Sequence, residues 1–213
     1  MKTMDSIRVG LLRRLLTPSR VTRSEFAAEE GFRPASVLEA VDALKADGIL
    51  NEPSRTGAKT GRHSPELALN PEFGAFLGIE VTADRIYSVA LDGAGERCGE
   101  YVFTPAGPVG AEDLEACVAE VTAHFRELPV RGIALADPGV VDPVRQISLR
   151  AVGIPGWHDL ATGAILHRAS GGLPTLVTPE CAARTAWERQ VRAPEFTGSI
   201  FHIRLDRGVG AAF

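Results

Sequence analysis

Apolar Ile7, Val9, Leu11, Leu12, Leu15 and Leu16 are interleaved with Arg8, Arg13 and Arg14 at helical spacing. This predicts an amphipathic helix over residues 6–16, stopped by Thr17-Pro18-Ser19. Thr22-Arg23-Ser24-Glu25 has the form of a capping box and opens a second helix through Phe26, Ala27 and Ala28, ended by Gly31. Pro34 suits the first turn of a third helix. That helix carries Val37, Val41 and Leu44 on one stripe, with Leu38 beside them, and runs to about Gly48. Two short extended runs follow, Ile49-Leu50-Asn51 and Glu66-Leu67-Ala68-Leu69, separated by Pro53 to Ser64.

Two short helices joined by a tight turn, the second followed by a hairpin, is the plan of a winged helix-turn-helix. The hairpin tip, Ser54 to His63, contains three cations and no carboxylate. Its glycines would let the backbone lie close to DNA, and Arg62 is suited to a minor groove of negative potential. The expected DNA-contacting residues are Arg23, Arg33, Ala35, Ser36 and Glu39 on the helices and Arg55, Lys59, Gly61, Arg62 and His63 in the wing. Glu39 and Asp42 would repel phosphate unless they read cytosine amines or face away. The bland alternative is a protein-binding or dimerisation module with a solvated Gly/Arg loop.

After Asn70-Pro71 the apolar period changes from helical to alternating. Residues 76–81, 86–91 and 97–103 read as strands, with Asp84-Arg85 and Asp92-Gly93-Ala94-Gly95 as turns. A helix is expected from Ala111 to Leu128, then a buried strand from Val130 to Ala136 ending in Asp137-Pro138-Gly139, and later a helix over Glu180–Arg192. Three antiparallel strands, a helix and a returning strand resemble the repeating half of the actin-like ATPase and sugar-kinase fold.

Composition adds constraints. With 213 residues the chain can bury a core without disulfide or metal staples. No run reaches the length of a membrane span, and the N-terminus lacks a small-residue cleavage site. Cys98, Cys117 and Cys181 are widely spaced, which reads as reduced thiols in a cytoplasmic protein. Charge is uneven: residues 1–70 hold 11 Lys/Arg against 9 Asp/Glu, and the remainder 12 against 18. A mildly basic head on an acidic body suits a nucleic-acid reader joined to another module.

The order of motifs resembles the repressor–ORF–kinase (ROK) family in its regulator branch. Thr60 to Pro71 resembles that family's wing and linker, and Leu77-Gly78-Ile79-Glu80-Val81 its first phosphate-loop strand. Gly132 to Asp142 is similar to its G-[IV]-x-x-x-G-P-G-x-[VI]-D segment, and Ile154-Pro155-Gly156-Trp157 to its L-P-G-W. Val177 to Ala183 stands where V-x-N-D-x-N-A is usual, and Gly208-Val209-Gly210-Ala211 at the second phosphate loop. The resemblance implies an α/β (α+β overall) chain. A winged helix-turn-helix over 1–70 would be followed by an actin-like ATPase/sugar-kinase (ribonuclease H-like) lobe over 71–213, without the family's second lobe and its zinc site.

Departures from the family pattern argue against catalysis. Thr82-Ala83-Asp84 replaces a G-G-T turn, putting bulk and a carboxylate where phosphate would approach. Glu180 falls at the catalytic-aspartate position after a proline in place of asparagine, so no catalytic residue is expected. Pro138, Gly139, Gly153, Trp157 and Glu180 are the candidate ligand-binding residues. Three of them have a structural alternative: a Pro-Gly turn for Pro138, a packing anchor for Trp157, a helix N-terminus complement for Glu180. No metal ligands or cofactor are called for. The expectation is a DNA-binding regulator, a repressor of carbohydrate metabolism. It would bind an operator as a homodimer and respond to a sugar or sugar-phosphate effector, away from membranes. The rival readings are a hexose kinase with an N-terminal accessory module and a scaffold in which both domains are relics.

Overall fold

The computed structural model describes residues 3–17, 20–52, 65–192, 196–205 and 209–212. The chain divides into two compact units, one of residues 1–73 with 93–95, the other of 74–92 with 96–213.

The first unit contains α1 (Met4–Leu15), β1 (Val21–Thr22), α2 (Arg23–Glu30), α3 (Pro34–Ala46), β2 (Leu50–Asn51) and β3 (Glu66–Leu69). Local sequence sets each boundary. Thr3 caps α1 by accepting from the Ser6 amide, so this helix starts two residues earlier than its apolar stripe implied. At α2 the capping box forms: Thr22 Oγ1 accepts from the Glu25 amide, and the Glu25 carboxylate accepts from the Thr22 amide at 2.8 Å. Gly31 closes the helix at φ 64°, a conformation that a β-carbon would penalise. The three strands form one antiparallel sheet in the order β1-β3-β2. The helices and strands close over a core of Leu11, Phe26, Val37, Val41, Leu44 and Leu67. Strand β1 was not legible in the sequence, because two residues carry no period.

The second unit is built on β4 (Ala75–Val81), β5 (Ile86–Asp92), β6 (Arg97–Phe103), β7 (Val130–Asp137) and β11 (Thr175–Pro179). They form a sheet in the order β11-β7-β4-β5-β6. β11, β7 and β4 run parallel; β4, β5 and β6 are antiparallel. Helices α4 (Ala111–His124) and α5 (Thr162–Ala169) supply Leu114, Val118, Val121 and Leu166 to the same core as Leu77, Ile79, Val81 and Ile86. A small sheet of β8 (Val140–Asp142), β9 (Ile147–Arg150) and β10 (His158–Leu160) follows β7. Helix α6 (Glu180–Trp187) leaves β11 directly, and β12 (His202–Leu205) pairs with β13 (Val209–Ala212).

Two helix ends differ from expectation. α4 stops at His124 rather than Leu128, because Phe125 leaves helical geometry and turns its ring into the core against Gly99. The helix expected over Glu180–Arg192 is α-helical only to Trp187, then widens to π geometry over Glu188–Arg192. The wider turn places Arg192 as well as Arg184 over the Trp187 ring, each 5.7 Å from its centroid. No helix among the described residues is long and apolar enough to cross a membrane.

Candidate functional site

In the first unit the N-terminal turn of α3 is open to solvent. Arg33 is its N-cap residue without a side-chain cap bond; Arg33, Ala35 and Glu39 are exposed and Ser36 is half-buried. Leu50 pairs with Leu69 and Asn51 with Ala68, so β2 and β3 hold the two ends of the basic segment side by side. Arg55, Lys59, Gly61, Arg62 and His63 lie outside the described residues.

Arg23 is ion-paired within its own unit. Its guanidinium bonds Glu52 at 2.5–2.6 Å and lies 3.5 Å from Asp42; Lys45 meets the same Glu52 at 2.5 Å. Burial alone would raise the Glu52 carboxyl, but hydrogen bonds from Lys45 and Arg23 outweigh it and hold the group below the usual carboxylate range. The Arg23 charge is thus matched inside the unit. The same network answers the concern over Asp42, whose carboxylate neighbours a cation of its own unit.

In the second unit the expected ligand residues sit beyond the carboxyl ends of β7 and β11. Here the structure assembles a cluster that sequence reasoning missed. The fully buried Asp137 accepts at Oδ1 from the Gly139 amide and the Ser148 hydroxyl, both at 2.8 Å, and at Oδ2 from the Trp157 indole at 3.2 Å. The indole also donates to Ser148 Oγ at 3.0 Å. Burial pushes the Asp137 carboxyl above its ordinary value, and the three donors only partly offset this. The signal available in sequence was an aspartate where the resembled segment has glycine.

Trp157, weighed as a surface for sugar stacking, is wholly buried, so its ring faces are occupied by core and cannot meet a ligand. It is an internal anchor. Gly139 leaves no room for a side chain: a β-carbon would fall 2.1 Å from the Arg150 carbonyl oxygen. Its presence is explained by that close approach. Pro138 lies in the half-buried bend between β7 and β8. Gly153 occupies an exposed turn with open space around it. Gln146 is a second unforeseen latch, with φ 55°: its side-chain amide donates to the Pro143 and Val177 carbonyls, and its side-chain oxygen accepts from the Val177 amide.

Glu180, the first residue of α6, accepts from Arg204 at 2.6 Å, and the same Arg204 nitrogen lies 3.0 Å from Glu80 at the end of β4. The two carboxylates, Glu180 first, push the Arg204 guanidinium still further from deprotonation. Any other use of the Glu180 carboxylate must displace this charge-assisted hydrogen bond. Cys181, next in the helix, is buried and its thiol is raised by burial and by Glu180. Among the described residues no group of three or more His, Cys, Asp or Glu is placed to hold a metal.

Over 207 residues, 94% of this chain, the sequence is 21% identical to a putative xylose repressor of Caldicellulosiruptor sp. strain Rt8B.4. It is 20% identical over the same length to the xylose repressor of Caldicellulosiruptor bescii. A ROK family transcriptional regulator, homologous to the E. coli MLC protein, superposes on 96% of the chain with a TM-score of 0.74 at 21% identity. The chain is similar in sequence to these repressors and shares the fold of that ROK regulator. A ROK family glucokinase from Streptomyces griseus, bound to glucose and AMPPNP, matches 65% of the chain with a TM-score of 0.56 and 22% identity, which shows a shared fold. The chain spans about half the length of these proteins: 51% of each xylose repressor, 53% of the regulator structure and 43% of the glucokinase. No family model matches the chain.

Proposed function

We propose that this chain is the DNA-reading and sensing portion of a sugar-responsive transcriptional repressor. Residues 1–70 act as a winged helix-turn-helix: the start of α3 enters the major groove of an operator, and the segment held between β2 and β3 is the wing. The observation that carries this reading is the pairing of an exposed α3 N-terminus with a segment between β2 and β3 whose residues 54–63 hold three cations and no acid. Arg33, Ala35, Ser36 and Glu39 supply base-edge contacts, and Arg55, Lys59, Gly61, Arg62 and His63 supply backbone and minor-groove contacts.

The second unit is a sugar-kinase-like lobe that has lost phosphoryl transfer and serves as a sensor for a sugar or sugar phosphate. Glu180 tied to Arg204 supports the loss. Pro138, Gly139 and Gly153 frame the mouth where the effector binds, while Trp157 and Asp137 fix the framework beneath it. The protein works in the cytoplasm as a homodimer on paired half-sites. Gel shift with the protein's own upstream DNA tests the reading; failure to retard it at low salt, where phosphate contacts are strongest, overturns DNA recognition. A coupled ATPase assay over a hexose panel tests the rest: turnover above background restores the kinase reading.

A further inference from the structure

Four charged side chains meet beside α3. Arg23 opens α2, Asp42 and Lys45 lie in the second half of α3, and Glu52 follows β2. Glu52 Oε1 accepts from both Nε and Nη2 of Arg23, at 2.6 and 2.5 Å, and Oε2 accepts from the Lys45 ammonium at 2.5 Å. Asp42 stands 3.5 Å from the same guanidinium. Two cations and two carboxylates therefore cancel. Glu52 is the innermost of the four, with 13% of its side chain exposed against 37% for Lys45. Burial works against its charge, but the hydrogen bonds from Lys45 and Arg23 prevail, so it is an anion at any pH suited to DNA binding.

At ~100° per residue, Ala35, Glu39, Asp42 and Ala46 form one exposed stripe of α3, opposite buried Val37, Val41 and Leu44. This stripe continues the exposed start of α3; Asp42 brings Arg23 to it, and Lys45 borders it. The donors that Glu52 gathers, one edge of a guanidinium and an ammonium, are those a DNA phosphate takes. Residues 54–63, by contrast, hold three cations with no acid among them. The chain supplies cations in that segment and cancels them beside α3.

We propose that Glu52 sets the specificity of DNA binding by withholding Arg23 and Lys45 from phosphate, an inference that rests on the DNA-recognition reading. Phosphate contacts strengthen binding to every sequence alike, so each cation freed beside the stripe raises the background against which an operator competes. With α3 seated in one register the ion pairs are kept. Random DNA is met in many registers, and some of them put a phosphate within reach of a freed cation. Glu52 opposes those contacts from inside the fold, because a tethered carboxylate acts at high effective concentration and a passing phosphate must displace it. A purely structural ion pair would act in the other direction: its loss would loosen the unit and weaken binding to all DNA.

Fluorescence anisotropy of the full chain on a random-sequence duplex of about 20 bp, from about 50 to 200 mM salt, tests this. Glu52→Gln is expected to bind about fivefold or more tightly at the low end, with a log–log salt slope steeper by roughly 0.9–1.8, one or two added phosphate contacts. The protein's own upstream DNA gains less, so the preference for it falls. Lys45→Gln leaves the slope unchanged in the parent but lowers it by about 0.9 in the Glu52→Gln background. Unchanged or weaker random-DNA binding by folded Glu52→Gln, or an equal gain on both DNAs, overturns the proposal. Should Glu52→Gln fail to fold by far-UV dichroism, Lys45→Gln decides alone: a lower slope in the parent background means that Lys45 already meets phosphate. A parent protein that binds neither DNA at low salt refutes DNA recognition itself. A parent that binds both, with Glu52→Gln behaving identically, refutes only the role of Glu52.

Discussion

The Trp157 indole N–H donates to the Asp137 carboxylate at 3.2 Å inside a core where both side chains are fully buried. One end of that bond closes the strand β7, the other closes the turn before β10, and Ser148 on β9 joins both. Asp137→Ala leaves the Gly139 amide and the Ser148 hydroxyl without their acceptor and the Trp157 indole N–H with Ser148 Oγ alone. It is expected to cost roughly 2–4 kcal/mol in urea unfolding, whereas Asp137→Asn keeps an acceptor and costs about 1 kcal/mol or less.

The same pair gives a pH dependence. Burial raises the folded-state pKa of Asp137 above its unfolded value, so its contribution is fully present below the ordinary carboxylate range and is lost as pH rises through the folded pKa. The stability of the parent protein relative to Asp137→Asn should therefore decline from about pH 4 upward. A difference that stays flat, or grows, across that window would show that the donors outweigh burial.

Two glycines distinguish close approach from open turn. Gly139→Ala drives a β-carbon into the Arg150 carbonyl and should lower stability by about 1–3 kcal/mol, since backbone must move. Gly153→Ala meets nothing within 4 Å and is expected to be within about 0.5 kcal/mol of the parent. Equal thermal shifts for the two would contradict the packing described for the β7–β8 bend.

Thiol labelling should be ordered. Burial pushes the Cys117 thiol up to about 11, while Cys98 is exposed. At pH 8 a maleimide should modify Cys98 in the native protein and reach Cys117 only on unfolding, because the thiolate is the reacting species. Mass mapping of early adducts checks this; rapid native labelling of Cys117 would mean the α4 core opens.

The proposed wing gives a separate prediction. Arg62→Ala is expected to weaken operator binding by roughly 1–3 kcal/mol with stability unchanged, and Arg33→Ala to relax base preference at one position. Arg62→Lys should restore the salt dependence but not the full preference for A·T-rich flanks, because lysine is the more strongly hydrated cation. Undiminished binding of Arg62→Ala to A·T-flanked sites would exclude minor-groove insertion.

What the sequence determined by itself is local. The Thr22–Glu25 box, Gly31, Pro34, and the alternation from Ala75 to Phe103 each act through neighbours within a turn or along a strand. Helices and long strands could therefore be read directly. The two-residue β1 and the short β8, β9 and β10 gave no such signal, since they carry too few residues for a period.

Tertiary structure decided the sites. Arg23 was indistinguishable from a phosphate-binding arginine until folding brought Glu52, 29 residues away, to its guanidinium. Trp157 could have faced a ligand or the core; the buried Asp137 and Ser148 took its N–H, and an indole bonded inward has no face left for solvent. Glu180 met Arg204 only because α6 and the β12 strand converge beyond β11. Spacing along a chain encodes which groups can share a helix face. Which charges neutralise one another across elements depends on chain crossings, which no local pattern records.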